Sequence, residues 1–102
     1  MQSIGEKERS LGCIIGGAMG DAFGNQIEFR SIEDIREEHG PEGLPEPILE
    51  DGRYLITDDT QMTLLTADGL LFAYTRWCTR GIAAPPYQYI YGKYRRWAQL
   101  QG

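Results

Sequence analysis

One histidine, His39, and two cysteines, Cys13 and Cys78, are all that the chain offers toward a soft or borderline metal site, and a zinc centre of His and Cys ligands is nearly excluded. The cysteines have no CxxC spacing and sit in apolar sequence surroundings, so two buried, reduced thiols are expected rather than a disulfide. Basic residues are scarce as well. Ten Lys and Arg against fifteen Asp and Glu leave a net charge of −5, which discourages binding to nucleic acid or to an acidic membrane surface. The one basic cluster, Lys93, Arg95 and Arg96, reads as a solvated helix face. Long hydrophobic runs are missing too. The longest, Leu11 to Met19, is about half of a membrane span. Three glycines interrupt it, and Glu6 and Glu8 dilute the positive flank that a signal peptide needs, so a cytoplasmic location is expected.

What is present describes an ordinary globular composition. Hydrophobic residues make up 41% and charged residues 25% of 102 residues, which argues against disorder. A chain of this length buries only about 60–65% of its unfolded surface, so a small core is expected. Thirteen glycines mark several positions for close approach or positive φ.

The apolar spacing predicts a helix from about Glu6 to Ala22, with Leu11, Ile14, Ile15, Ala18 and Met19 on one face. Gly12, Gly16, Gly20 and Gly24 recur every four residues along it, a spacing that clears a groove for another backbone in a crowded core. Ser31 is placed to cap a short helix reaching His39, with Glu33 and Asp34 at the positive end of its dipole. From Gly40 to about Tyr54, glycine, proline and acidic residues predict an irregular loop long enough to border a site. A long helix follows from about Asp58 to Trp77, buried through Met62, Leu65 and Leu70. Pro85 and Pro86 then break the chain before a last helix, Tyr87 to Leu100. Without a convincing strand pair, an internal repeat or a second composition, the reading is one all-α domain. Tyr91, Tyr94 and Trp97 close the chain as a half-buried face short of apolar partners, and this points to further sequence downstream.

Two stretches carry chemistry. Thr57-Asp58-Asp59-Thr60-Gln61-Met62 opens the long helix. Adjacent carboxylates there repel unless the helix dipole or a divalent cation compensates them, and hydroxyl and carboxylate oxygens are the donors magnesium selects. The competing reading is a helix cap at Thr57 or Asp58, with Gln61 completing a capping box behind Asp58. In the second stretch, Gly16 to Phe29, Asp21 follows an apolar helix and Glu28 lies between Ile27 and Phe29. A carboxyl among apolar neighbours suits proton transfer, while a plain helix-end residue and an exposed loop carboxylate are the bland alternatives. The glycines lack the Gly-Lys-Ser/Thr ending of a phosphate-binding loop and the dinucleotide-binding spacing. Cys13 has no histidine nearby, and no Gly-x-Ser-x-Gly elbow occurs.

Taken together, Gly-Ala-Met-Gly-Asp-Ala-Phe-Gly (residues 17–24), Ile-Glu-Phe (27–29) and Thr-Asp-Asp-Thr-Gln-Met (57–62) strongly resemble the ADP-ribosylglycohydrolase family, which includes the dinitrogenase-reductase-activating glycohydrolases. Tyr94 to Trp97 through Gln101-Gly102 also look like its bacterial members. The resemblance implies an all-α fold with two magnesium ions and an ADP-ribosylated protein, arginine-modified first of all, as substrate. It gives metal-ligand roles to Thr57, Asp58 and Asp59, an acid/base or gating role to Glu28, and a supporting role to Asp21. The family's second metal motif, Asp-x-Asp followed by Thr or Ser, does not occur here. Residues 1–102 are therefore expected to be the amino-terminal part of a single domain, to hold an incomplete metal site, to show little activity alone, and to pair with the missing carboxy-terminal part. A noncatalytic ADP-ribose-binding or interaction module is the alternative.

Overall fold

The structure is a computed structural model, and it describes residues 5–102. Four helices follow one another: α1 (Glu6–Asn25), α2 (Ile32–His39), α3 (Asp58–Arg80) and α4 (Pro86–Leu100). The only extended pairing among the described residues is an isolated bridge between Glu50 and Arg53, so the fold is all-α, as the sequence pattern predicts. Among the described residues, no helix is long and apolar enough to cross a membrane.

The helix boundaries follow local chemistry. Glu6 and Glu8 stand in the first turn of α1, where the dipole favours them. Three residues beyond the expected end, α1 stops at Asn25, whose side chain donates to Leu55 O (3.4 Å), while Gln26 donates to Glu50 Oε2 (2.7 Å). These tertiary bonds lie outside what a local pattern can show. Ser31 caps α2 as expected, its hydroxyl accepting the Asp34 N–H at 3.1 Å. Arg30 pairs with Glu38 across the same helix. Likewise, α3 runs three residues past the expected Trp77 and is closed by Gly81, whose φ of +64° admits glycine most readily. Pro86 occupies the first turn of α4, where its missing N–H has no partner to lose.

The chain divides into two compact units, one ending at Thr60 and one running from Gln61 to Gly102. In the first, α1 is the platform, and the Gly40–Tyr54 segment is irregular as predicted. Here Ala22 and Thr60 are the buried side chains, at 6% exposure each.

The second unit is a helical hairpin of α3 and α4. Thr66 and Tyr94 share a hydrogen bond between hydroxyls, Lys93 pairs with Asp68 at 2.8 Å, and Trp97 Nε1 donates to Gln61 Oε1 at 2.8 Å. Phe72 and Tyr89 meet edge to face, with ring centroids 5.2 Å apart. The two helices come close at Gly69, where an added Cβ would lie 3.0 Å from the Ile90 Cα.

That last contact corrects an expectation. Among the described residues nothing lies within 4 Å of an added Cβ at Gly12, Gly16, Gly20 or Gly24, so no described backbone occupies the groove of α1. Along the same helix Leu11, Ile15 and Met19 remain about half exposed, because no described element covers them. The cysteines are corrected for the same reason: Cys13 and Cys78 are free, as expected, but exposed rather than buried. Leu70 stays about half exposed and Tyr91 largely so, while the basic face of α4 is solvated as expected, with Lys93 paired to an exposed Asp68.

Candidate functional site

Asp21 stands one turn before the end of α1, and the chain that returns from the irregular segment folds over it. Four donors converge on its carboxylate. Oδ2 accepts the Thr57 N–H (2.7 Å), the Thr60 N–H (3.3 Å) and the Thr60 hydroxyl (2.5 Å), while Oδ1 accepts the Thr57 hydroxyl (2.6 Å). The orphan amides at the start of α3 are thus met by a carboxylate from another helix. Burial works to raise the Asp21 pKa, but the hydrogen bonds from the Thr57 and Thr60 hydroxyls and amides outweigh it and hold the carboxyl below its ordinary range.

Thr57 is both donor and acceptor. Its hydroxyl gives its proton to Asp21 and accepts the Asp59 N–H at 3.2 Å. The capping reading of Thr57 is therefore correct as far as it goes. Gln61 does not complete the box behind Asp58 through its Oε1, which accepts the Trp97 indole N–H in the second unit.

Beside this turn lies an open concavity of ≈ 530 Å³ lined by Gly17, Gly20, Asp21, Gly24, Asn25, Ile27, Glu28 and Asp59. Three of the residues singled out from sequence, Asp21, Glu28 and Asp59, share this surface, and Thr57 is bonded directly to Asp21. Asp58 is not among the lining residues, in keeping with the divergence of about 100° between adjacent helical side chains. Glu28 itself is exposed and Phe29 is 93% exposed, so of the two readings of Glu28 the exposed loop carboxylate agrees with its surroundings among the described residues. The glycines of α1 find their use here instead: Gly17, Gly20 and Gly24 form a wall without side chains, which keeps the concavity open.

Whether a cation fits can be judged from the donor set. Thr57, Asp58 and Asp59 supply hard oxygens of the kind magnesium takes. No cluster of three or more His, Cys, Asp or Glu side chains that could hold a metal occurs among the described residues. The donors fit one side of a magnesium shell in kind and fall short of a whole shell in number.

Asp21, given a supporting place from sequence, holds both threonines here. The signal for its role was present in the two threonines flanking Asp58-Asp59, each able to present a hydroxyl and an amide to one carboxylate. Only the tertiary fold brings them onto residue 21.

Residues 2–102 match the family model described as ADP-ribosylglycohydrolase. The chain belongs to the ADP-ribosylglycohydrolase family. It is also similar to an uncharacterized protein of Archaeoglobus fulgidus, with 39% identity over 69 residues covering 64% of this chain and 22% of that protein. The matched part of the chain thus spans about a fifth of the length of that relative. No solved structure matches it.

Proposed function

We propose that this chain forms part of a magnesium-dependent hydrolase that releases ADP-ribose from modified protein side chains, arginine being the first acceptor to test. The supporting observation is that Asp21, Glu28 and Asp59 line one glycine-walled concavity in a chain of this family. Thr57, Asp58 and Asp59 would hold one side of the magnesium site, and bound magnesium supplies Lewis-acid chemistry there.

In this reading the reaction breaks the glycosidic bond at the ribose anomeric carbon, where oxocarbenium-like charge develops. Water adds to that carbon as the bond to the acceptor side-chain nitrogen breaks, and Glu28 moves the proton that water loses to the departing nitrogen. The low glycine wall lets the ribose and its diphosphate approach α1 closely, since no side chain projects from Gly17, Gly20 or Gly24. Asp21 is committed to Thr57 and Thr60 and stays out of the chemistry.

The test is ADP-ribose release from an arginine-ADP-ribosylated protein by this chain and by its longest natural form, each with magnesium or with EDTA. Magnesium-dependent release supports the hydrolase. If neither releases ADP-ribose while both bind it, the noncatalytic binding module replaces this reading.

A further inference from the structure

The Asp21 carboxylate is an acceptor at both oxygens, so every hydrogen bond reaching it must arrive with its own proton. This fixes the polarity of the Thr57 hydroxyl. Its single proton goes to Asp21 Oδ1 at 2.6 Å, and one of its two lone pairs takes the Asp59 N–H at 3.2 Å. One lone pair remains. We infer that Asp21 is a positioning residue that locks Thr57 as a pure acceptor, leaving a single oxygen lone pair for a cation at the start of α3. The inference rests on the magnesium reading above and deepens it by naming the residue that prepares the ligand.

Several features of the first unit favour this over a purely structural clamp. Thr60 alone would suffice to tie α3 to α1, since its amide and hydroxyl both reach Oδ2. The Thr57 hydroxyl is the one group that uses Oδ1, and it is the one side chain in the set proposed to touch a ligand. A hydroxyl free to rotate would present its proton to a cation in some of its states. Held by Asp21, it has no such state, and preorganisation of this kind is how an outer residue tunes a metal ligand.

Asp21→Asn separates polarity from packing. The carboxamide oxygen can take the Oδ2 place and keep the Thr57 amide, the Thr60 amide and the Thr60 hydroxyl. The carboxamide nitrogen must then take the Oδ1 place, where it donates to Thr57 and reverses that one bond. Both lone pairs of the Thr57 hydroxyl are then consumed and its proton is turned loose toward the ligand.

The experiment measures manganese(II) binding by electron paramagnetic resonance on the longest natural form of the chain, since manganese accepts the same oxygen donors. Amide exchange at Thr57 and Thr60 is followed by nuclear magnetic resonance on the same samples. Asp21→Asn should weaken manganese binding by about tenfold or more, the range seen for residues that orient metal ligands. Its amide protection should stay within about threefold of the parent, whereas Asp21→Ala should lose both. On a Thr57→Val background, Asp21→Asn should cause no further loss of binding, because the two changes remove the same lone pair. Parent-like binding by Asp21→Asn overturns the inference, and so does loss of protection equal to that of Asp21→Ala. If the parent binds no manganese, the magnesium reading fails instead. The inference about Thr57 is then decided by its hydroxyl proton: slow exchange in the parent and fast exchange in Asp21→Asn uphold it, and fast exchange in both overturns it.

Discussion

Gly69→Ala sets two effects of similar size against each other, and the structure decides which prevails. Replacing glycine by alanine inside a helix gains about 1 kcal/mol of propensity. At Gly69 the new Cβ would stand 2.9 Å from the Ile90 Cγ1 and 3.0 Å from the Ile90 Cα and N. The Cγ1 can rotate away, but the backbone atoms cannot. Helix α4 must retreat by a few tenths of an ångström, loosening the Thr66–Tyr94 bond, the Lys93–Asp68 pair and the Phe72–Tyr89 contact. Overpacking of this kind costs about 1–3 kcal/mol. The net expectation is a destabilisation of about 1 kcal/mol. Gly92→Ala, on α4 of the same unit, meets nothing within 4 Å and should stabilise by up to about 1 kcal/mol. Urea unfolding reads the contrast. With a slope on the order of 1–2 kcal/mol per molar, the two midpoints should separate by roughly 1 M, with the parent between them. Equal upward shifts in both variants would refute the close approach of α3 and α4 at Ile90.

Further expectations follow from single contacts. Hydrogen bonds lower the folded pKa of Asp21 below its ordinary 3.8, so its contribution to stability is complete above that value and is lost as pH falls through the lowered folded pKa. Unfolding midpoints measured from pH 6 down to 2 should therefore fall more steeply for the parent than for Asp21→Asn, and parallel curves would contradict this. Ser31→Ala removes the acceptor for the Asp34 amide and should destabilise α2 by about 1 kcal/mol, seen as faster amide exchange at Asp34 with α4 unaffected. Glu28→Gln should abolish turnover while manganese binding stays at the parent level, and unchanged turnover would rule out proton transfer by Glu28.

The helices were legible because they are written in local chemistry: the Ser31 cap, the paired prolines that open α4, and the periodic apolar residues of α1 and α3. The groove glycines misled because spacing alone tells where a backbone can approach, not whether one does. Gly69, a single glycine without a pattern, proved to be the point of contact. The site was legible by residue type but not by architecture. Thr57, Asp59, Glu28 and Asp21 were chosen from sequence as donors or acids. Their arrangement depends on a carboxylate meeting a helix start thirty-six residues away, which no local rule contains. The burial of the cysteines was misjudged from apolar neighbours in sequence, since neighbours along a helix face different directions.

In the proposed function the first turn of α3 presents ligands to a catalytic cation rather than only capping a helix. Magnesium-dependent ADP-ribose release by the longest natural form of the chain, compared between the parent and Asp59→Asn, tests it most directly. The parent should release ADP-ribose in a way that EDTA abolishes, and Asp59→Asn should lose release with unfolding unchanged within about 0.5 kcal/mol, the scale of an ordinary surface substitution. Release by Asp59→Asn at the parent rate would contradict it.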